Sequence, residues 1–514
     1  MDFKTKIVFN TVKGRLRTID RFADEAQSIQ LRQLKHILSR AERTEFGKRY
    51  RLTAQTPYKE FVNRVPVQTY EEAKEDIETM VAGEKNLLVP GVCRWYAKSS
   101  GTTNDKSKFI PVPFVHLHRC HYQGGKDTLW LYLRNRVDSN FFSTKGLILG
   151  GSHSTSPINS ESHMGDLSSI LVQHMPALGD MLRVPSRQTL LKNEWGEKMK
   201  AIVRETIHKD VGSLSGVPSW MLVMIKDVLK ETGAKDLSDV WPNLEVFFHG
   251  GICFEPYREA YRELISSPRM QYMETYNASE GFFAIQDDPS KREMLLMLDY
   301  GVFYEFLPLE YMHDNSKYID TSKLVPLWDI ELGRNYAMVI TSLGGLYRYI
   351  IGDTVKFESN RPYRLVITGR TKHFINAFGE ELIVDNAEKA LAQVCNDMNV
   401  RVRDYTVAPH FFRDEGKGCH DWLIEFENPP HDLSLFASEL DGALQAINSD
   451  YEAKRYQDMT LRNLNIIQAP HGLFHHWLET KGKLGGQHKI PRLSNNRIFL
   501  EEIMSMVHQY PPNK

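Results

Sequence analysis

The chain has 514 residues, 41% apolar, 25% charged and 11% aromatic, which leaves ample core material for about two to four domains and excludes a disordered, collagen-like or disulfide-stapled polypeptide. Lys and Arg (64) balance Asp and Glu (65) to a formal net charge of −1, so no global field draws the protein to nucleic acid or to an anionic membrane. The five cysteines, Cys93, Cys120, Cys253, Cys395 and Cys419, are scattered and form no C-x-x-C pair. They read as reduced thiols and predict a cytoplasmic protein.

The N-terminal stretch mixes charge into every apolar run and has no signal-peptide core, and nowhere do about 18 apolar residues run together. The first clear element is a helix, with Ile29, Leu31, Leu34, Leu38 and Ala41 near a 3.6-residue period. GLILGGS (146–152) and LEVFFHGG (244–251) then read as buried strands that stop at paired glycines, as in parallel or mixed sheets. Helices are predicted over 198–208 and 220–231. VFYEFLPLE (302–310), YAMVITS (336–342) and LYRYII (346–351) read as strands, the last two joined by a hairpin turn at 343–345.

Past residue 369 the texture changes. A helix capped by Asp385 places Ala387, Ala390, Leu391, Val394 and Cys395 on one face, YTVAPHFF (405–412) and DWLIEFEN (421–428) alternate like antiparallel strands, and a second helix spans 434–447. The expected fold class is α/β, with a large N-terminal domain of mixed sheets and helices at 1–369 and a smaller α+β domain at 370–514.

Four stretches carry chemistry. Ser99, Ser100, Gly101, Thr102 and Thr103, followed by Lys106 and Lys108, can offer hydroxyls, N–H groups and positive charge to an anion. A solvated Ser/Thr turn is the alternative, and the stretch is neither a Walker loop nor a dinucleotide fingerprint. Glu280, between Ser279 and Gly281, suits a Mg²⁺ ligand on a phosphate substrate or, alternatively, is an exposed loop acid. Asp353, following Gly352, is read as ending a strand, where it could hold a ribose diol or form an Asx turn. Lys489 follows the glycines of the Gly/Lys-rich 481–489 loop and can deliver charge to a transition state or simply be solvated. The histidine groups 116/118/121 and 471/475/476 read as solvated or capping residues in preference to metal ligands.

Taken in order, SSGTT, HGGICFEP, YNASEG, LYRYIIGD, GRTK and GGQHKIPRL resemble the adenylate-forming superfamily of acyl-CoA synthetases, luciferases and peptide-synthetase adenylation domains. Their spelling is closer to one branch, the auxin-responsive (Gretchen Hagen) acyl-acid amido synthetases in their compact bacterial-type form. RAERTEFGKRY and VPVQTYEEAKEDIETMVAGEKNLLVPG also resemble this branch, so the likeness spans essentially the whole chain.

The resemblance implies an ATP-dependent ligase. A carboxylic acid attacks the α-phosphate and expels pyrophosphate, and an amino acid's amine then attacks the acyl-adenylate to give an amide and AMP. It implies a phosphate loop at Ser99–Thr103 with Lys108 trailing, adenine beside Gly250 and Gly251, and Tyr276 and Ser279 flanking base and α-phosphate. Glu280 is implied as the Mg²⁺ ligand, Asp353 and Arg370 as ribose contacts, and Lys489 as the catalytic lysine on a mobile C-terminal lid hinged at 369–372. Expected cofactors are ATP and Mg²⁺, and expected partners are small carboxylic and amino acids, without nucleic acid, membrane or obligate protein partner. An acyl-CoA ligase and a non-catalytic nucleotide-binding relative are the alternatives.

Overall fold

The computed structural model describes the chain outside residues 101–106, 152, 156–158, 193–194, 253, 255–256, 314–317, 372–373, 381, 413–416, 459, 481–489 and 508–514; the side chains of several flanking residues, Ser99, Ser100, Arg370 and Asp385 among them, are also outside the description. Two compact units emerge, one built from 1–99, 108–251 and 261–371, the other chiefly from 372–514 together with Ile252–Ala260. Among the described residues no helix is long and apolar enough to cross a membrane.

The first unit is organised by a 12-stranded sheet. Its antiparallel half runs in the order Val325–Pro326, Val302–Pro308, Asn335–Ser342, Tyr349–Asn360, Tyr363–Arg370, Met294–Leu296, Gly281–Ile285. Strand Gln271–Ala278 follows, antiparallel to Gly281–Ile285 on one side and parallel to Val246–His249 on the other. From there Val211–Gly216, Lys145–Ile148 and Arg183–Val184 continue in parallel. Strand Val302–Pro308 is buried along its whole length, because helix Phe22–Ala41 covers one face with Ile29, Leu34, Leu38 and Ala41. Leu31, expected on that buried face, is 38% exposed because its position falls off the stripe that meets the sheet. The predicted helices appear as Trp195–Thr206 and Pro218–Thr232.

The 343–345 turn is wider than predicted. Ile340 pairs with Tyr349, and Leu346 to Arg348 form part of the connection. Arg348 adopts φ 46° there and turns its guanidinium inward, donating to Glu305 at 2.9 and 3.0 Å and to the Val62 and Val65 carbonyls at 2.9 Å each. Gly352 and Asp353, expected to end a strand, lie inside the 12-residue strand Tyr349–Asn360. Gly352 kinks the strand with φ 93°, and pairing resumes opposite Arg370.

In the second unit, strands Arg401–Phe411 and Gly418–Asn428 pair antiparallel, and Asn465–Gln468 joins them in parallel. The Gly418–Asn428 strand does not alternate between core and solvent as predicted. Trp422 and Ile424 enter one apolar cluster with helices Val384–Asp397 and Leu433–Ile447, while Leu423 enters a second with Leu473, Phe474 and Leu500. Both faces are covered. Asp385 is inside the first helix, whose N-cap position is Ile383; the Asn386 carboxamide oxygen accepts the Ile383 N–H at 3.3 Å. Cys93, Cys120, Cys395 and Cys419 are free thiols, as the sequence predicts.

Candidate active site

Four neighbouring parallel strands run in one direction, and each reaches a glycine at or just beyond its carboxyl end. They are Lys145–Ile148 (Gly150, Gly151), Val211–Gly216, Val246–His249 (Gly250, Gly251) and Gln271–Ala278, which turns through Ser279 and Glu280 into Gly281. Ligands in sheets of this kind collect outside the carboxyl ends, where backbone must pass close to a substrate. Gly250 is sterically required: a Cβ there would lie 2.4 Å from the Thr275 carbonyl oxygen and 3.0 Å from the Thr275 and Asn277 side chains. Gly251 holds φ 85°, a conformation that glycine adopts without penalty.

Tyr276 and Asp353 meet across this edge. The phenol, 4% exposed, donates to Asp353 Oδ2 at 2.8 Å, and its ring lies edge-on to Phe283 at 5.0 Å. Asp353 pairs in backbone register with Arg370, and the Thr371 N–H closes the ladder on the Gly352 carbonyl at 2.8 Å. Tyr276, 77 residues away in sequence, is thus joined to Asp353 and to the end of the Tyr363–Arg370 strand.

Glu280 sits with half-buried Ser279 at the tip of a two-residue hairpin closed by Ala278 and Gly281. It is 6% exposed, so the alternative of an exposed loop acid is corrected. His116 Nε2 lies 3.1 Å from the Glu280 carbonyl oxygen. A carbonyl can only accept, so the ring carries its proton on Nε2, leaving Nδ1 as a bare, buried acceptor. Burial pushes His116 down to about 4 against the opposing effect of that hydrogen bond, and burial with the neighbouring His116 pushes His121 well below the usual histidine range. Both rings are buried and neutral, which corrects their reading as solvated or capping residues; they miss solvent because the helix they occupy is packed into the sheet.

Glu280 is a single hard oxygen donor, which fits Mg²⁺, an ion that keeps water and phosphate oxygens as its other ligands. The one grouping of three candidate ligands among the described residues, His410, Cys419 and Asp421, lies in the second unit. Its Asp421 is engaged by Arg497 at 2.7 Å and Asn465 at 3.0 Å, and burial keeps Cys419 protonated with its pKa pushed up to about 12. That chemistry does not suit Mg²⁺.

Lys108, on strand Ser107–Pro111, lies 5.5 Å from the Tyr70 ring centroid. Gly101, Thr102, Thr103 and Lys489 lie outside the described residues, as do the side chains of Ser99, Ser100 and Arg370. The geometry therefore unites Gly250, Gly251, Tyr276, Ser279, Glu280 and Asp353 along one sheet edge.

Sequence reasoning missed Lys198. Its ammonium, 2% exposed, reaches back to the Gly150 carbonyl and, at 3.1 Å, to that of Gly151, fixing the glycine turn after strand Lys145–Ile148. Asp166 packs over the same turn, where a Cβ on Gly151 would lie 1.6 Å from its carboxylate. Nothing in the local spacing of Lys198 signals a partner 47 residues away.

Three family models match the chain in order: GH3 family N-terminal domain over residues 15–270, central domain over 295–370 and C-terminal domain over 385–498. The chain belongs to the GH3 family. An indole-3-acetic acid-amido synthetase, GH3.4 of Arabidopsis thaliana, is 24% identical over 563 residues, covering 93% of this chain and 91% of the relative. The solved GH3.15 acyl acid amido synthetase superposes with TM-score 0.59 at 19% identity, covering 96% of each chain. A 2-hydroxyisobutyryl-CoA ligase in complex with 2-HIB-AMP and CoA gives TM-score 0.55 at 12% identity, covering 95% of this chain and 93% of that one. The GH3 chain has the adenylate-forming fold, mixed α/β with a smaller C-terminal domain.

Proposed function

We propose that this GH3 family member is an acid–amino-acid ligase that joins a carboxylic acid to the amine of an amino acid through an acyl-adenylate, consuming ATP. A carboxylate is a poor acyl donor because its leaving group would be an oxide. Attack of one carboxylate oxygen on the α-phosphorus breaks the bond to pyrophosphate and forms a mixed anhydride. The amine then adds to the carbonyl, loses its proton and expels AMP, a far better leaving group.

The observation that carries this reading is the convergence of Tyr276, Glu280 and Asp353 at the carboxyl ends of parallel strands beside the Gly250–Gly251 turn. In it Asp353 accepts from the ribose hydroxyls with Arg370 adjoining, Tyr276 and Gly250–Gly251 border the base, and Ser279 approaches the α-phosphate. The Ser99–Thr103 loop and Lys108 receive the outer phosphates. Mg²⁺ bound with the nucleotide would neutralise phosphate charge, with Glu280 as its protein ligand. Residues 1–369 hold the nucleotide and acid, and residues 370–514 act as a mobile lid that brings Lys489 to the charge developing at the α-phosphate. The substrates are small molecules and the setting is the cytoplasm.

Acid-dependent ATP–pyrophosphate exchange over a panel of aromatic and aliphatic carboxylates, followed by mass spectrometry with amino acids and with CoA as competing acceptors, tests the reading. Amide product and AMP are expected. Thioester without amide would assign an acyl-CoA ligase, and absence of exchange with every acid would leave only a nucleotide-binding protein. Lys489→Ala is expected to suppress exchange by about 10²–10³-fold, the scale of losing one donor aimed at a transition-state charge, while ATP binding persists.

A further inference from the structure

Helix Phe114–His116 passes into a π-helical turn, Leu117–Tyr122, before the α-helix resumes as Gln123–Asn135. Such widened turns are rare and are frequent at functional sites. This one, with His116 immediately before it, docks on the hairpin that carries Glu280 through two residues four apart. His116 donates to the Glu280 carbonyl at 3.1 Å, and Cys120 Sγ accepts from the Phe282 N–H at 3.1 Å while its thiol donates to the Phe282 carbonyl at 3.8 Å. Neither His116 nor Cys120 has any solvent exposure.

Glycine on both partners makes the approach sterically feasible. A Cβ on Gly281 would lie 2.8 Å from Phe283 and 3.4 Å from Cys120 Sγ, one on Gly344 would lie 3.3 Å from the His116 ring, and one on Gly124 would lie 2.3 Å from the Phe282 ring. The hairpin tip is thereby held from the helix side at both ends of the Glu280–Phe282 segment.

We propose that His116 is a positioning residue for adenylation: by holding the main chain of the Ser279–Glu280 turn, it sets the direction of the Glu280 carboxylate, with Cys120 as the second clasp. The inference rests on the reading of Glu280 as the protein ligand of nucleotide-bound Mg²⁺. His116 acts through the backbone and touches no substrate.

The test pairs His116→Ala with His116→Gln, whose carboxamide nitrogen can stand where Nε2 stands. ATP binding is followed by calorimetry as Mg²⁺ is titrated, alongside thermal midpoints and pyrophosphate exchange. Loss of one buried hydrogen bond at the turn is expected to raise the Mg²⁺ concentration for half-maximal ATP binding about tenfold in His116→Ala, with metal-free ATP binding unchanged and His116→Gln within about threefold of the parent. The same variant is expected to raise the KM for ATP while leaving that for the acid unchanged. If His116→Ala does not fold, His116→Asn, whose amide is too short to reach, replaces it. An unchanged Mg²⁺ dependence, or equal weakening with and without Mg²⁺, overturns the proposal and leaves His116 a packing residue. If the parent protein binds Mg²⁺-ATP but exchanges pyrophosphate with no acid, the functional reading fails, and the calorimetric comparison still decides the role of His116.

Discussion

The Tyr276 hydroxyl donates to Asp353 Oδ2 at 2.8 Å, joining the parallel half of the sheet to the antiparallel half at the edge where the candidate site lies. Tyr276→Phe removes that bond and keeps the ring against Phe283. A buried hydrogen bond to a carboxylate contributes about 1–3 kcal/mol, so the KM for ATP is expected to rise by roughly five- to 150-fold, with a smaller fall in kcat. Steady-state exchange kinetics at saturating acid measure this. A rise confined to the KM for the acid would remove the pair from the nucleotide site.

Gly250→Ala forces a methyl to within 2.4 Å of a main-chain oxygen in the adjoining strand, which cannot swing aside. The expected cost is about 1–3 kcal/mol, accompanied by loss of exchange activity. Gly14→Ala is the control. Gly14 lies in helix Lys13–Asp20 with nothing within 4 Å of a new Cβ, so the substitution is expected to be neutral or to stabilise by up to about 1 kcal/mol. Urea midpoints for the two variants are expected to move in opposite directions or, at the least, far apart.

Burial lowers the Lys198 ammonium to about 8, with Asp166 opposing the shift. Between that value and 10.5, the folded protein binds fewer protons at this site than the unfolded chain does, so stability rises as pH increases through the interval. At about 1.4 kcal/mol per unit, the increment approaches roughly 3–3.5 kcal/mol. Lys198→Met abolishes the increment. Denaturation of parent and variant at pH 8 and above pH 10 tests this, and parallel pH profiles would count against it.

The buried Arg348–Glu305 pair is costly to break from one side. Glu305 is 1% exposed, and Arg348→Met leaves its carboxylate without the guanidinium. The expected destabilisation is about 3–5 kcal/mol. The double variant Arg348→Met, Glu305→Leu is expected to recover part of that loss, and equal stabilities for the single and double variants would show that the stranded charge is not the cause.

The sequence was most legible where chemistry is local. Glycine pairs after apolar runs marked strand ends, and the strands preceding Gly150 and Gly250 lie where the pattern puts them. The YNASEG motif around Glu280 was also visible. Burial was not, because it depends on what packs from elsewhere: Glu280 and His116 come together across 164 residues, and no spacing rule reaches that far. The same limit applies to Gly352–Asp353. A Gly-Asp pair after an apolar run signals a turn, but pairing with strand Tyr363–Arg370 carries the backbone through the kink. In the second unit, alternation failed on strand Gly418–Asn428 because both of its faces meet apolar clusters.

Strand Gln271–Ala278 is shared by two differently bonded halves, parallel on one edge and antiparallel on the other. Side chains alternate along it, so a slip of one residue would exchange its faces, turning Tyr276 away from Asp353 and moving Met273 to the opposite face. One misplaced register would thus part Tyr276 from Asp353 and dismantle the candidate site as a whole.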